Sequence, residues 1–263
     1  MVLLHFVDLD PQLAALRQLG GFFVLRTLRG DPGEPPGALP TLARAYAETA
    51  DRAASNGYGD PLAFRVAKVS RALRAPEDRI AASVAQQGLA ARLWSVSLGC
   101  AVLYGRVPDL APELLRWDPD AGAPDDLWLT EVRSLPGDAA TVAATVLVGH
   151  LEPLSAALRA RRSVAAGLLR GNAGSALAGT ARQLDQWSRA HGRPDVAARA
   201  RALTAELFTH PLLAGTGSGS GTPTGTAFRR RSCCLYYRVP DGGLCGDCCF
   251  TRPPRSSPRA PSG

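Results

Sequence analysis

The stretch PEDRIAASVAQQGLAARLWSVSLGCAVLY, residues 76–104, reads as one long helix that is buried over most of its length, with Cys100 on it and Gly105 as its stop. A core element of that size calls for further helices around it. On its N-terminal side, Asp10-Pro11 and Asp60-Pro61 each place a capping acid before a proline suited to a first helical turn. Apolar residues at helical spacing follow at 13–19, 42–53 and 62–73, with Asn56-Gly57 as another stop. On its C-terminal side the pattern breaks. LLRWD and LWLTEV, between Leu114 and Val132, flank the turn-rich PDAGAPDD and predict a β-hairpin or two short strands. From Asp138 helices return, at 142–148, 155–160, 164–187 and 195–208. The expected fold class is mainly α (α+β), a helical body with a small β-hairpin element.

A chain of 263 residues, 46% hydrophobic, is long enough to bury a sizeable core. No run approaches the roughly 20 apolar residues needed to cross a bilayer. The longest, around 93–105 and 139–151, are shorter and carry polar residues, so they read as buried helices and no transmembrane segment is expected. The start, MVLLHFVDLDPQ, lacks a basic region and a small-residue cleavage site, which points to a cytoplasmic chain. Thiols stay reduced there, and clustered ones serve metal or redox chemistry.

After the helices comes GTGSGSGTPTGTA, residues 215–227, whose composition is that of a flexible linker. The chain is therefore expected to divide into a helical body at 1–214, a linker at 215–227, a cysteine-rich module at 228–250 and a disordered Pro/Ser/Arg tail at 251–263.

The module, RRRSCCLYYRVPDGGLCGDCC at 229–249, holds five of the six cysteines. Cys233 and Cys234 are adjacent, and ten residues later Cys245 and Cys248 form CxxC, followed by Cys249. LYYRV has strand character and Pro240-Asp241-Gly242-Gly243 is a turn signal, so a hairpin would bring both cysteine pairs to one end. Zinc knuckles need both sulfurs of a pair to reach one metal, which adjacent cysteines do poorly because successive extended side chains point to opposite sides. A dinuclear 2Fe–2S centre relieves that conflict by spreading the sulfurs over two irons. Spacing alone leaves zinc and a disulfide open as alternatives.

The formal charge of +7 is concentrated in the same place: residues 227–263 hold seven Arg and two Asp, a surplus of +5. Arg229, Arg230, Arg231 and Arg238 can offset the negative charge of a thiolate-bound cluster, which grows on reduction, so the basicity needs no nucleic-acid partner. Gly242, Gly243 and Gly246 would let backbone amides approach sulfur. Tyr236 and Tyr237 read as packing residues. Cys100 reads as a small buried hydrophobe and His150 as structural, while Asn172 fits a cap or turn. His5, His191 and His210 form no constellation. GTGSGSG neither follows a strand nor opens a helix, the single Lys68 supports no P-loop, and there is no GxSxG. Electrons must come from an external donor.

RRRSCCLYYRVPDGGLCGDC resembles the C-terminal signature of the FhuF-type ferric-siderophore reductases: paired arginines, Ser, Cys-Cys, an aromatic and an arginine, Pro-Asp, and Cys-Gly-Asp-Cys. ARLWSVSLGCAVLYGRVPDL and HLEPLSAALRARRSVAAGLLRGNAGSAL, the latter around Asn172–Gly174, are similar to the family's helical segments. The resemblance implies a 2Fe–2S cluster on Cys233, Cys234, Cys245 and Cys248; Cys249, which follows directly, is the candidate to replace a neighbouring ligand. It also implies one-electron reduction of a ferric siderophore, with a reductase, ferredoxin or small reductant as donor. An electron carrier or iron/redox sensor without siderophore turnover is the alternative. The Gly/Ser stretch and Cys249 depart from the family pattern.

Overall fold

The computed structural model describes residues 9–28, 39–47, 59–222 and 225–254. The fold is built around α4, Asp78–Tyr104, which is buried along most of its length and closes on Gly105 in the left-handed region, φ 66°. Among the helices packed along it are α1 (Asp10–Ala15), α3 (Pro61–Leu73), α7 (Ala166–Ala190) and α8 (Pro194–Leu207). Asp60 caps α3 as expected, accepting the Ala63 N–H at 2.9 Å, whereas Asp10 is itself the first helical residue of α1. The helix expected over 42–53 is α2, Leu42–Tyr46; residues 48–58, with the Asn56-Gly57 stop, lie outside the described residues, as do His5 and 255–263 of the tail.

The hairpin read at 114–132 is present. β3 (Leu115–Trp117) pairs antiparallel with β4 (Leu127–Leu129) in the register Leu115↔Leu129. β1 (Arg26–Thr27), too short to leave a sequence signal, adds a parallel third strand to β4. β2 (Arg106–Pro108) and β5 (Ser134–Pro136) make a second ribbon. Arg92 of α4 ties this layer to the core: its side chain is 2% exposed and donates to Asp126 Oδ1 at 2.8 Å and to the carbonyls of Gly21, Phe22 and Val24. A guanidinium so placed keeps most of its donors satisfied away from water, which a buried charge requires.

The helical segments expected after Asp138 run together. α5 (Ala139–Ala143), a π-helical stretch (Ala144–Leu151) and α6 (Glu152–Arg161) form one helix of 23 residues, long and apolar enough by length and composition to cross a membrane. This revises the expectation that no segment reaches that length. Half of its apolar window is buried in the protein, through Val142, Val146, Leu147, Leu151, Leu154 and Leu158. Pro153 has no N–H and crowds the carbonyl four residues back, and the wider π turn lies immediately before it. His150 in that turn is buried. Leu110 O, 2.5 Å from Nε2, can only accept, so Nε2 carries the proton and Nδ1 accepts from the Tyr46 hydroxyl at 2.9 Å.

Strands also run within the Gly/Ser/Thr stretch read as a linker. β6 (Gly217–Thr222) pairs antiparallel with β7 (Gly225–Arg230), and β7 packs on α7. Glycine serves close approach here. A Cβ on Gly217 would lie 2.5 Å from the Phe228 ring and from Arg229 O, so composition that reads as flexible instead admits a ring against backbone.

Two outcomes are expected. Removing the acceptor of the buried guanidinium, Asp126→Ala, costs about 3–5 kcal/mol in denaturant titrations, against under about 1 kcal/mol for Glu131→Ala, whose partner Arg133 is exposed. Burial pushes the His150 imidazole down from its usual value near 6.5 to about 4. Between those values the unfolded chain binds a proton that the folded protein refuses. Stability is therefore held above pH 6.5 and falls by roughly 3 kcal/mol as pH drops toward 4, a slope that His150→Gln loses.

Candidate metal centre

The cysteine module leaves β7 at Arg230 and lies across α4 and α7. Small residues on α7 make room for it. Gly171 faces Ser232, whose Oγ would be 2.1 Å from an added Cβ and donates to Gly167 O at 3.0 Å. Gly174 faces Thr216 and Phe228, and Phe228 stacks on Phe208 with ring centroids 5.2 Å apart.

Two polar networks fix the module in depth. In the first, Asn172 Nδ2 donates to Ser83 O at 2.9 Å, Ser83 Oγ donates to the Cys234 carbonyl at 2.8 Å, and Asn172 Oδ1 accepts from Arg230 Nη1. In the second, Asp247 of the CxxC loop is 7% exposed and accepts from Ser175 Oγ at 2.5 Å and from Arg182 at 3.0 and 3.2 Å, while its carbonyl accepts the Arg230 N–H at 3.0 Å. Buried polar atoms must be paired, so both networks specify one docked position.

Within the module, LYYRV is not a strand. Leu235 is left-handed, φ 69°, and Tyr236–Arg238 form a 3-10 turn with the Arg238 N–H on Leu235 O at 3.0 Å. The reversal at Leu235 turns its own N–H onto Cys233 Sγ, 3.2 Å away, which an extended segment would not do. Gly242 is needed for the following turn, because a Cβ there would sit 2.5 Å from Tyr236 O. Tyr237 packs edge-on against Phe250, and Tyr236 is 37% exposed.

The Cys234 and Cys245 sulfurs are 3.5 Å apart. Cys233 lies near enough to Cys234, Cys248 and Cys249 for all three thiols to act on it. Among the described residues, no set of three or more His, Cys, Asp or Glu side chains is arranged to hold a single metal ion. Backbone amides two residues on donate to four of the sulfurs: Leu235 to Cys233, Tyr236 to Cys234, Asp247 to Cys245 and Phe250 to Cys248. These amides take the role expected of Gly242, Gly243 and Gly246. The Cys234 thiol is pushed down, chiefly by its hydrogen bond with Cys245 and further by the Tyr236 amide and Arg230, while the same contact pushes Cys245 up and burial pushes Cys233 up to about 11.

Residues 230–250 match the family model of the FhuF 2Fe-2S C-terminal domain. The cofactor indicated for this FhuF-type module is a 2Fe–2S cluster. No curated protein matches the chain. The residues present fit that group: two sulfurs 3.5 Å apart stand in a short segment with three further thiols, and amides aimed at sulfur stabilise thiolate and the reduced state.

The four arginines differ in what they can do. Arg230 is 3% exposed beside Cys234 and Cys245, Arg229 donates to Cys249 O at 3.0 Å from the surface, Arg231 is exposed, and Arg238 pairs with Glu77. Cys100 is fully buried in the helical core, and burial pushes its thiol up to about 12. Ser83, Ser175, Arg182 and Asp247 carry the docking and were not singled out from sequence. A signal for them exists in the small residues Gly167, Gly171, Gly174, Ser175 and Ala178, which recur at helical spacing on α7 and mark a face closely approached by another segment.

Because Cys248 carries the i+2 amide pattern, Cys248→Ser is expected to lose acid-labile sulfide and visible absorption from anaerobically prepared protein. Cys249→Ser is expected to retain iron and sulfide at about two each per chain. The reverse pattern would shift the ligand set by one residue.

Proposed function

We propose that Cys233, Cys234, Cys245 and Cys248 hold the cluster and that the protein is a cytoplasmic ferric-siderophore reductase. The observation that carries this reading is the FhuF-type match at 230–250, set beside an open groove that reaches one of the four sulfurs. The groove, about 290 Å³, runs between α4 and α7 with Phe22, Gln87, Gln183 and Arg182 on its walls and Cys245–Asp247 at its edge. Its amides and its exposed aromatic ring suit a polar chelate bearing many hydrogen-bonding oxygens.

When bound, the cluster supplies one-electron transfer. The chain's own residues do the rest. The thiolates and their amide donors hold the reducible centre, Ser175 and Arg182 keep the Asp247 loop against α7, and the groove holds the ferric complex within reach of Cys245. One electron from an external donor converts substrate Fe(III) to Fe(II), which the siderophore's hard oxygen ligands bind more weakly, so iron is released. No side chain has to move a proton.

Protein reduced anaerobically, freed of reductant and mixed with ferric hydroxamate, catecholate or carboxylate complexes tests this. Re-oxidation of the chromophore with capture of about one Fe(II) per chain by a colorimetric chelator is the expected result. Inertness toward all three classes would replace the reductase with an electron carrier or sensor.

A further inference from the structure

Arg230 is the one buried cation of the module, and its donors are not all used. Its backbone N–H goes to Asp247 O and its Nη1 to Asn172 Oδ1, but Nε and Nη2 are buried and meet no acceptor among the described residues. Leaving the N–H groups of a buried guanidinium unpaired is costly, more so than for a neutral group. Through Asn172 the guanidinium is linked to Ser83, whose Oγ donates to the Cys234 carbonyl, and the Arg230 N–H holds the Asp247 carbonyl two residues beyond Cys245, so Arg230 is held between the segments that carry the Cys234 and Cys245 sulfurs, themselves 3.5 Å apart.

We propose that Nε and Nη2 of Arg230 donate to the sulfur atoms of the cluster, and that Asn172 is the positioning residue that fixes the plane of the guanidinium. This rests on the 2Fe–2S assignment of the module. Reduction adds one negative charge close to Arg230, and a buried cation with aimed donors is worth more there than one at the surface. Arg230 therefore favours the reduced state. Arg229, Arg231 and Arg238 lie where solvent screens them, and Arg238 is further offset by Glu77. Asn172 stands on α7 and also bonds Ser83 of α4, so the helical body sets the electron affinity of a centre whose ligands all come from the C-terminal segment.

Potentiometric titration of the loaded protein, followed by electron paramagnetic resonance, tests this. Arg230→Gln is expected to lower the equilibrium constant for accepting the electron at least tenfold, about 59 mV for a one-electron couple. Arg230→Lys, which keeps charge but not the paired donors, restores part of the loss. Asn172→Ala shifts the potential in the same direction while retaining iron and sulfide, and Arg229→Gln and Arg238→Gln change the constant less than threefold. If the Arg230 variants fail to load, wild-type protein labelled with guanidino-¹⁵N arginine serves instead: the reduced state is expected to show ¹⁵N hyperfine coupling that Arg229→Gln retains. A loaded wild type without that coupling, or an Arg230→Gln potential equal to wild type, overturns the assignment to Arg230 alone. A wild type free of iron and sulfide overturns this inference and the cofactor beneath it together.

Discussion

Everything in this protein depends on burying a charged, hydrogen-bonding segment against two helices without leaving its polar atoms unpaired. The cysteine module contributes few large apolar side chains to the core, so hydrophobic burial does little to hold it. Its position comes from Ser83 and Asn172 under the first cysteine pair and from Ser175 and Arg182 under the second. Such networks discriminate sharply, because a displaced module would strand several buried donors and acceptors at once. The glycines of α7 are the steric counterpart, letting Ser232, Thr216 and Phe228 approach where a methyl group would collide.

The same constraint explains why two long helices are needed to seat a segment of about twenty residues. α4 and α7 lie side by side, joined by Trp94 Nε1 on the Ala173 carbonyl at 3.1 Å and by Gln86 on Leu169 O at 3.3 Å, and they present a rigid polar face. A centre that gains and loses an electron benefits from such rigidity, since donors already aimed at it need not reorganise. The groove beside Cys245 has the same two helices as its walls.

What was legible in the sequence was local. The long helix at 76–104 announced itself through unbroken helical patterning and a stop glycine, and the 115–129 hairpin through turn residues between strand formers. The cysteine clustering narrowed the chemistry to a metal or redox centre, and the longer motif around it pointed to the 2Fe–2S cluster. What stayed hidden was non-local or ran against composition. β1 is two residues long and exists only because β4 offers it an edge. GTGSGSG reads as a spacer, yet its missing side chains are what let a strand pack beneath Phe228. LYYRV has strand-forming residues, but Leu235 adopts a left-handed conformation that turns its amide toward sulfur, a tertiary demand that propensity does not record. Asp247 stood in the sequence only as one letter of Cys-Gly-Asp-Cys, and the structure makes it a buried anchor.

Whether the C-terminal thiolates, docked on α4 and α7, hold a pair of sulfide-bridged irons is decided by the electron paramagnetic resonance spectrum of the anaerobically prepared, chemically reduced chain. The expected result is a low-temperature signal from one unpaired electron shared by two irons, integrating to about one spin per chain. A folded, colourless protein with no such signal and a single bound zinc would contradict it.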